Sequence, residues 1–206
     1  MIKYATATST RRNVHHLHRA GWRFLISAAY PSYMSQVRGW RYCLDNGAWT
    51  YHQRGQAFND DAFRRAVDRY GSGADFVLAP DIVGAGHASL EMSLRWLPWL
   101  RHRTRRVLIP VQDGVVPDDL CGVTDERVGI AIGGSTAWKV AQLMDTRWRD
   151  VAPDAWIHVL RVNSARRIKY ATLAGADSFD GTSASRFALS CGRLTRAAQQ
   201  PALWRS

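Results

Sequence analysis

Cysteine is scarce. The chain of 206 residues has three, Cys43, Cys121 and Cys191, far apart and never as Cys-x-x-Cys. That spacing excludes a zinc knuckle and a disulfide framework, and reduced thiols of a cytoplasmic protein are expected. His15, His16 and His18 have no ordered ligand spacing and no adjacent acid, so no bound metal is expected. Acid is scarce too. Asp and Glu number 17 against 28 Lys and Arg, a formal net charge of +11. Such an excess points to nucleic acid or an anionic surface as partner. Long apolar runs are missing. Residues 24–30 form the longest near the start, far too short to span a bilayer. No small-residue cleavage pattern follows it, so neither a signal peptide nor a membrane partner is expected. No linker-like segment interrupts the chain, and one domain over residues 1–206 is expected.

What is present is an ordinary globular balance, 46% hydrophobic and 22% charged. Short β-rich runs recur at residues 23–29, 41–44, 76–79, 107–111, 128–132, 156–162 and 177–179. Helical spacing fills most intervals. Residues 60–70 place Phe63, Ala66, Val67 and Tyr70 on one face, with Asn59 as N-cap. Helices are also expected over 87–103, with a kink at Pro98, and over 136–148 and 164–174. Gly71 and Gly175 stand where helix C-terminal glycines belong. Strands alternating with helices mean βα units and a parallel sheet. Seven or eight such units predict an α/β fold, a compact or trimmed (β/α)8 TIM-type barrel. At 206 residues it is shorter than the usual ~250, so trimmed helices or one missing or irregular element are expected. A short echo, Gly73-Ala74-Asp75-Phe76 and Gly175-Ala176-Asp177-Ser178-Phe179, opens two of the units.

Polar residues or glycine follow six of the apolar runs: Asp45, Asp81, Gln112 with Asp113, Gly133 with Gly134, Asn163 and Asp180. Any one of them is an ordinary loop acid or helix cap. In a parallel barrel, however, all six converge on the C-terminal rim, where barrel active sites lie. Arg166, Arg167 and Lys169 open a helix on that same rim, where cations oppose the helix dipole, so phosphate contacts are expected of them. Lys139 and Arg186 are placed alike. Arg101–Arg106 end a helix at the opposite rim, where cations suit the dipole and a solvated face is the simpler reading. Arg11, Arg12, His15, His16, His18 and Arg19 are a candidate arm along a nucleic-acid backbone.

Five of these segments resemble, in family order, motifs of the tRNA-guanine transglycosylases: Asp45-Asn46-Gly47-Ala48-Trp49, Ala79-Pro80-Asp81, Pro110-Val111-Gln112-Asp113-Gly114, Ala131-Ile132-Gly133-Gly134-Ser135 and Gly175-Ala176-Asp177-Ser178-Phe179-Asp180. The resemblance covers residues 41–183. The zinc segment of the tRNA enzymes is absent, and the short basic chain is more similar to phage-type DNA transglycosylases, which exchange guanine in DNA for a 7-deazaguanine such as preQ0. The resemblance implies Asp180 as nucleophile and Asp81 as the base-reading aspartate. It further implies DNA and a free 7-deazaguanine base as partners.

The chemistry suits these residue types. Retention at C1′ asks for two displacements through a covalent sugar–enzyme intermediate, the logic of two-carboxylate retaining glycosidases. On this reading Asp180 would attack C1′, and Asp45 would move the proton to and from the bases. Asp81 would accept from N1–H and the 2-amino group of guanine. Gln112 and the backbone N–H groups near Gly133, Gly134 and Ser135 would donate to O6. Trp49 would stack on the base; a core or rim aromatic is its plainer reading. The target base leaves the duplex stack, with Tyr51, His52 and Arg54 as candidates to fill the gap. No cofactor is expected, because exchange needs neither redox chemistry nor phosphate energy. Three other readings remain open: a tRNA transglycosylase, a non-catalytic nucleic-acid-binding subunit of the same family, and an unrelated phosphate-binding barrel.

Overall fold

The structure is a computed structural model that describes residues 1–200 apart from 9, 146 and 187. Eight parallel strands close into a barrel in chain order. They are β1 (Ile2–Thr6), β2 (Arg23–Ser27), β3 (Tyr42–Asp45), β4 (Val77–Leu78), β5 (Val107–Val111), β6 (Val128–Ile132), β7 (Ile157–Val159) and β8 (Ser178–Gly181). β8 pairs with β1, Asp180 opposite Tyr4, which seals the sheet. Around it lie α1 (Arg11–Arg19), α2 (Ala48–Gln53), α3 (Asp60–Tyr70), α4 (Gly86–Arg101), α5 (Thr136–Met144), α6 (Arg147–Val151), α7 (Ala165–Leu173), α8 (Ser183–Arg186) and α9 (Ala188–Gln199). This is the (β/α)8 TIM-type barrel. Among the described residues, no helix is long and apolar enough to cross a membrane.

A short chain closes a full barrel by economy rather than omission. No strand is missing. Strands have two to five residues, and the β2–β3 and β5–β6 connections carry only single 3-10 turns, Pro31–Gln36 and Pro117–Leu120, in place of α-helices. The element that the apolar runs did not reveal is β1, where Lys3 interrupts a short segment. Its side chains alternate: Tyr4 faces the barrel interior, while the Lys3 ammonium sits over the Trp22 ring on the outside, 5.9 Å from its centroid.

The same alternation sorts the core into two layers. Tyr4, Leu25, Cys43, Phe76, Leu78, Leu108 and Ala131 fill the interior. Phe24, Ile26, Leu44, Val77, Ile109, Ile130 and Phe179 face outward and pack under the helices. α3 forms as its spacing predicts, with the Asn59 carboxamide accepting the Ala62 N–H at 2.8 Å and Phe63, Ala66 and Val67 buried. Gly175 ends α7 with φ +69. Gly71 does not play that part: its φ is −63, and a Cβ there would lie 3.0 Å from the Val67 side chain. The helix expected over 136–148 is two, α5 and α6, because Asp145 is extended between them and its carboxylate accepts the Arg147 N–H. The helix around Pro98 continues to Arg101. The N-terminal basic cluster is no extended arm: it forms α1, with Val14 and Leu17 buried and His18 stacked on Trp40 at 4.0 Å.

The N-terminal end of the barrel is closed by an ionic cluster. Asp75, buried, accepts the Tyr4 hydroxyl at 2.8 Å, Arg23 at 2.9 Å and Arg41 Nε at 2.6 Å. Asp177, the matching acid of the echoed segment, accepts Arg149 at 3.1 Å and the Ile157 N–H at 2.8 Å. The echo therefore encodes rim ion pairs. Asp75→Asn leaves two guanidinium groups short of their anion, and half-exposed arginines soften the loss, so a destabilisation of about 2 kcal/mol is expected in urea unfolding. A change below ~0.5 kcal/mol would show the cluster to be idle.

Candidate active site

At or beside the ends of β3, β5 and β8 stands a polar residue in step with the inward-facing positions of the strand. Asp45 follows Cys43 by two residues, Gln112 follows Leu108 by four and Asp180 follows Ser178 by two, so all three side chains turn into the barrel mouth. Asp81 reaches the same mouth from the loop after β4. Its Oδ1 accepts Asn46 Nδ2 at 2.8 Å and its Oδ2 accepts Gln112 Nε2 at 2.5 Å. Asp180 is buried; its Oδ1 accepts the Arg161 N–H at 3.0 Å and lies 3.3 Å from His158 Nε2.

Burial, then the neighbouring charges of Asp180 and Asp81, pushes the Asp45 carboxyl up to about 7, against smaller help from the Gly47 N–H and the Ser27 hydroxyl. Burial also raises Asp81, opposed by Asn46, Arg161 and Gln112. The mouth thus holds a carboxyl that gains and loses a proton near neutrality beside two others with different partners, which is the arrangement of an acid–base site.

Two site residues were invisible in the sequence. His158 is fully buried at the middle of β7, its ring edge-on to Tyr4. Trp156 Nε1 donates to the Ser178 hydroxyl at 2.7 Å, and that hydroxyl lies 2.7 Å from His158 Nδ1. The tautomer with hydrogen on Nε2 matches the Asp180 oxygen there, and in it the Ser178 hydroxyl donates to Nδ1. The chain Trp156–Ser178–His158 then aims its donors at Asp180. Only the side-chain parity of β7 would have signalled this, and β7 ends at Val159 rather than at Val162. Asn163 stands in the loop after β7, and its side-chain oxygen accepts the Ser183 N–H. The second unforeseen residue is Arg161, whose backbone has φ +57.

Several expected donors are already engaged. Gln112 is buried, and its amide donates to Asp81, to Ser89 Oγ at 3.0 Å and to the Ile82 carbonyl at 3.2 Å, while its oxygen accepts the Gly84 N–H. It orients Asp81 instead of facing an open mouth. The Gly133 N–H donates to the Val111 carbonyl and the Ser135 N–H to Asp113 at 2.6 Å. Gly134, at φ +70, could bear no Cβ, which would fall 2.3 Å from the Asp113 carboxylate. Trp49 is 43% exposed at the start of α2.

The cations divide. Arg166, Lys169 and Arg186 are exposed on the C-terminal-rim helices α7 and α8, Arg166 donating to the Tyr170 hydroxyl. Arg167 reaches Thr136 Oγ1, linking the starts of α7 and α5. Arg54 lies on the Tyr30 ring and hydrogen-bonds its hydroxyl. Lys139 is not a surface phosphate contact: it is 4% exposed, its ammonium donates to the Leu160 carbonyl, and burial followed by Arg161 pushes it down to about 8. At the opposite rim Arg101 pairs with Asp125, Arg103 with Asp68, and Arg127 donates to the Arg101 and Thr104 carbonyls. A 560 Å³ concavity there is lined by Ser72, His102, Arg103, Thr104, Arg105 and Arg127. It holds none of the three mouth carboxyl groups, and its arginines are largely tied to the protein, so the barrel mouth is the candidate site. Among the described residues no group of three His, Cys, Asp or Glu side chains could hold a metal. No family model matches the chain, and no curated protein matches it.

A carboxyl whose folded value is raised holds its proton more tightly in the folded state. The stability this confers is complete below the unfolded value near 4 and is lost as pH rises to about 7. Asp45→Asn removes that loss. Relative to wild type the variant should gain up to about 4 kcal/mol between pH 4 and pH 8 in urea unfolding. A constant difference across this range would show that Asp45 titrates normally.

Proposed function

We propose that this protein is a guanine transglycosylase that exchanges guanine in DNA for a 7-deazaguanine base of the preQ0 type. The observation that carries the reading is the unlike state of two carboxyl groups in one mouth: Asp45, protonated near neutrality, beside Asp180, held by the Arg161 N–H and His158. In the first displacement an Asp180 oxygen attacks C1′. The C1′–N9 bond breaks, its electron pair leaves with guanine, and Asp45 gives that base a proton. In the second, Asp45 takes the N9 proton of the incoming base, N9 attacks C1′ and Asp180 is released. The sugar keeps its configuration.

Asp81 reads the base. Each of its oxygens already accepts one amide hydrogen, and a carboxylate has room for about four in all. The remaining two suit N1–H and the 2-amino group of guanine. Trp49 offers the stacking face. Arg166, Arg167, Lys169 and Arg186 take backbone phosphates on the same rim, which supports a polymeric substrate with the target base turned out of its stack.

The test incubates the protein with guanine-labelled DNA or matched tRNA, each with preQ0, and measures released label. Release from DNA and loss of preQ0 selectivity in Asp81→Asn are expected. Release from tRNA alone would make it an RNA enzyme. Binding of either polymer without release would make it a non-catalytic subunit.

A further inference from the structure

Arg161 is the one non-glycine residue described with a left-handed backbone. Side chains adopt that conformation at a cost, and such residues persist where surrounding contacts hold them. Here three contacts do so, each from a different part of the barrel. Its N–H donates to Asp180 on β8. One guanidinium nitrogen donates to the Gly134 carbonyl after β6, at 2.9 Å. The guanidinium also lies 4.8 Å from the centroid of the Trp49 ring, at the start of the helix after β3. In an eight-stranded barrel with strands in chain order, β3 and β7 stand on opposite sides. Arg161 therefore spans the mouth as a bar, anchored beside the proposed nucleophile and resting on the aromatic face a base would use.

We propose that Arg161 is a latch and a specificity-determining residue, its guanidinium closing the mouth on Trp49 and leaving that ring for a backbone phosphate of the incoming nucleic acid. The proposal rests on the nucleoside-exchange reading of the same site. A planar guanidinium is suited to both states, stacking flat on indole and gripping two phosphate oxygens at once. An uncharged nucleoside competes with Arg161 for Trp49 and gives it nothing in return. A phosphate-bearing nucleoside supplies the replacement partner. The latch thereby admits nucleic acid in preference to free nucleosides, which offer the same base.

The experiment compares deoxyguanosine with deoxyguanosine 3′,5′-bisphosphate by titration calorimetry on wild type, Arg161→Gly and Arg161→Asn. Both replacements tolerate the left-handed backbone, so the fold is preserved. Wild type should bind the bisphosphate at least about tenfold more tightly than the nucleoside, and the variants should bring the two within about twofold. An unchanged ratio in the variants overturns the proposal while leaving the base-exchange reading intact. If wild type binds neither compound, that reading fails, and inorganic phosphate decides the latch. Trp49 emission, isolated by difference from Trp49→Phe, is then quenched with acrylamide. Phosphate should increase its quenching in wild type and not in Arg161→Gly; no increase in wild type overturns the proposal.

Discussion

Three carboxyl groups share one desolvated barrel mouth, and the rest of the site follows from how that is made tolerable. Buried like charges within reach of one another cannot all ionise at their ordinary values. The protein gives each a different solution. Asp45 keeps its proton up to about pH 7. Asp81 is bracketed by the amides of Asn46 and Gln112. Asp180 is met by a backbone N–H and by His158. The three carboxyl groups are alike in chemistry and differ here in their surroundings, which is what the proposed division of roles among them rests on. Gln112 and Asn46 belong to this solution, because their amide hydrogens oppose the rise that burial imposes on the Asp81 carboxyl.

The barrel that presents these groups is built with few residues to spare. Its strands are short, so only one to three side chains per strand face inward, and the polar layer of the mouth lies directly on a thin apolar plug around Tyr4, Phe76 and Leu108. The plug is sealed from below by Asp75 with Arg23 and Arg41. Tyr4 touches both ends of this arrangement, its hydroxyl on Asp75 and its ring against His158. The ion pairs at the N-terminal rim and the acid–base groups at the other are thus separated by little more than one layer of side chains.

Much of this was legible in the sequence, and the exceptions have physical causes. The alternation of β-rich runs with helical spacing was enough for a parallel barrel, since βα units leave few other closures. The polar ends of β3, β5 and β8 were readable because period-two alternation carries the inward face one step past the apolar run. β1 escaped because a short strand that alternates Ile, Lys, Tyr, Ala and Thr has no apolar run to recognise. His158 escaped because a histidine inside a strand looks the same whether it faces the core or the mouth. Gln112 was seen, but not its partner: spacing says which rim a side chain reaches, while its hydrogen bonds depend on residues such as Asn46 and Ser89 arriving from other loops. Lys139 shows the same limit, since a helix on the correct rim can still turn a cation inward.

The account stands on Asp180 as the group that bonds to the sugar. Acid-quenching the protein with guanine-containing DNA and locating the adduct by peptide mass spectrometry tests this most directly. A deoxyribose-linked fragment on Asp180, lost in Asp180→Asn with DNA binding retained, is the predicted result, because the missing interaction belongs to the transition state. An adduct that survives Asp180→Asn and resides on Asp81 would contradict it and exchange the roles of the two aspartates.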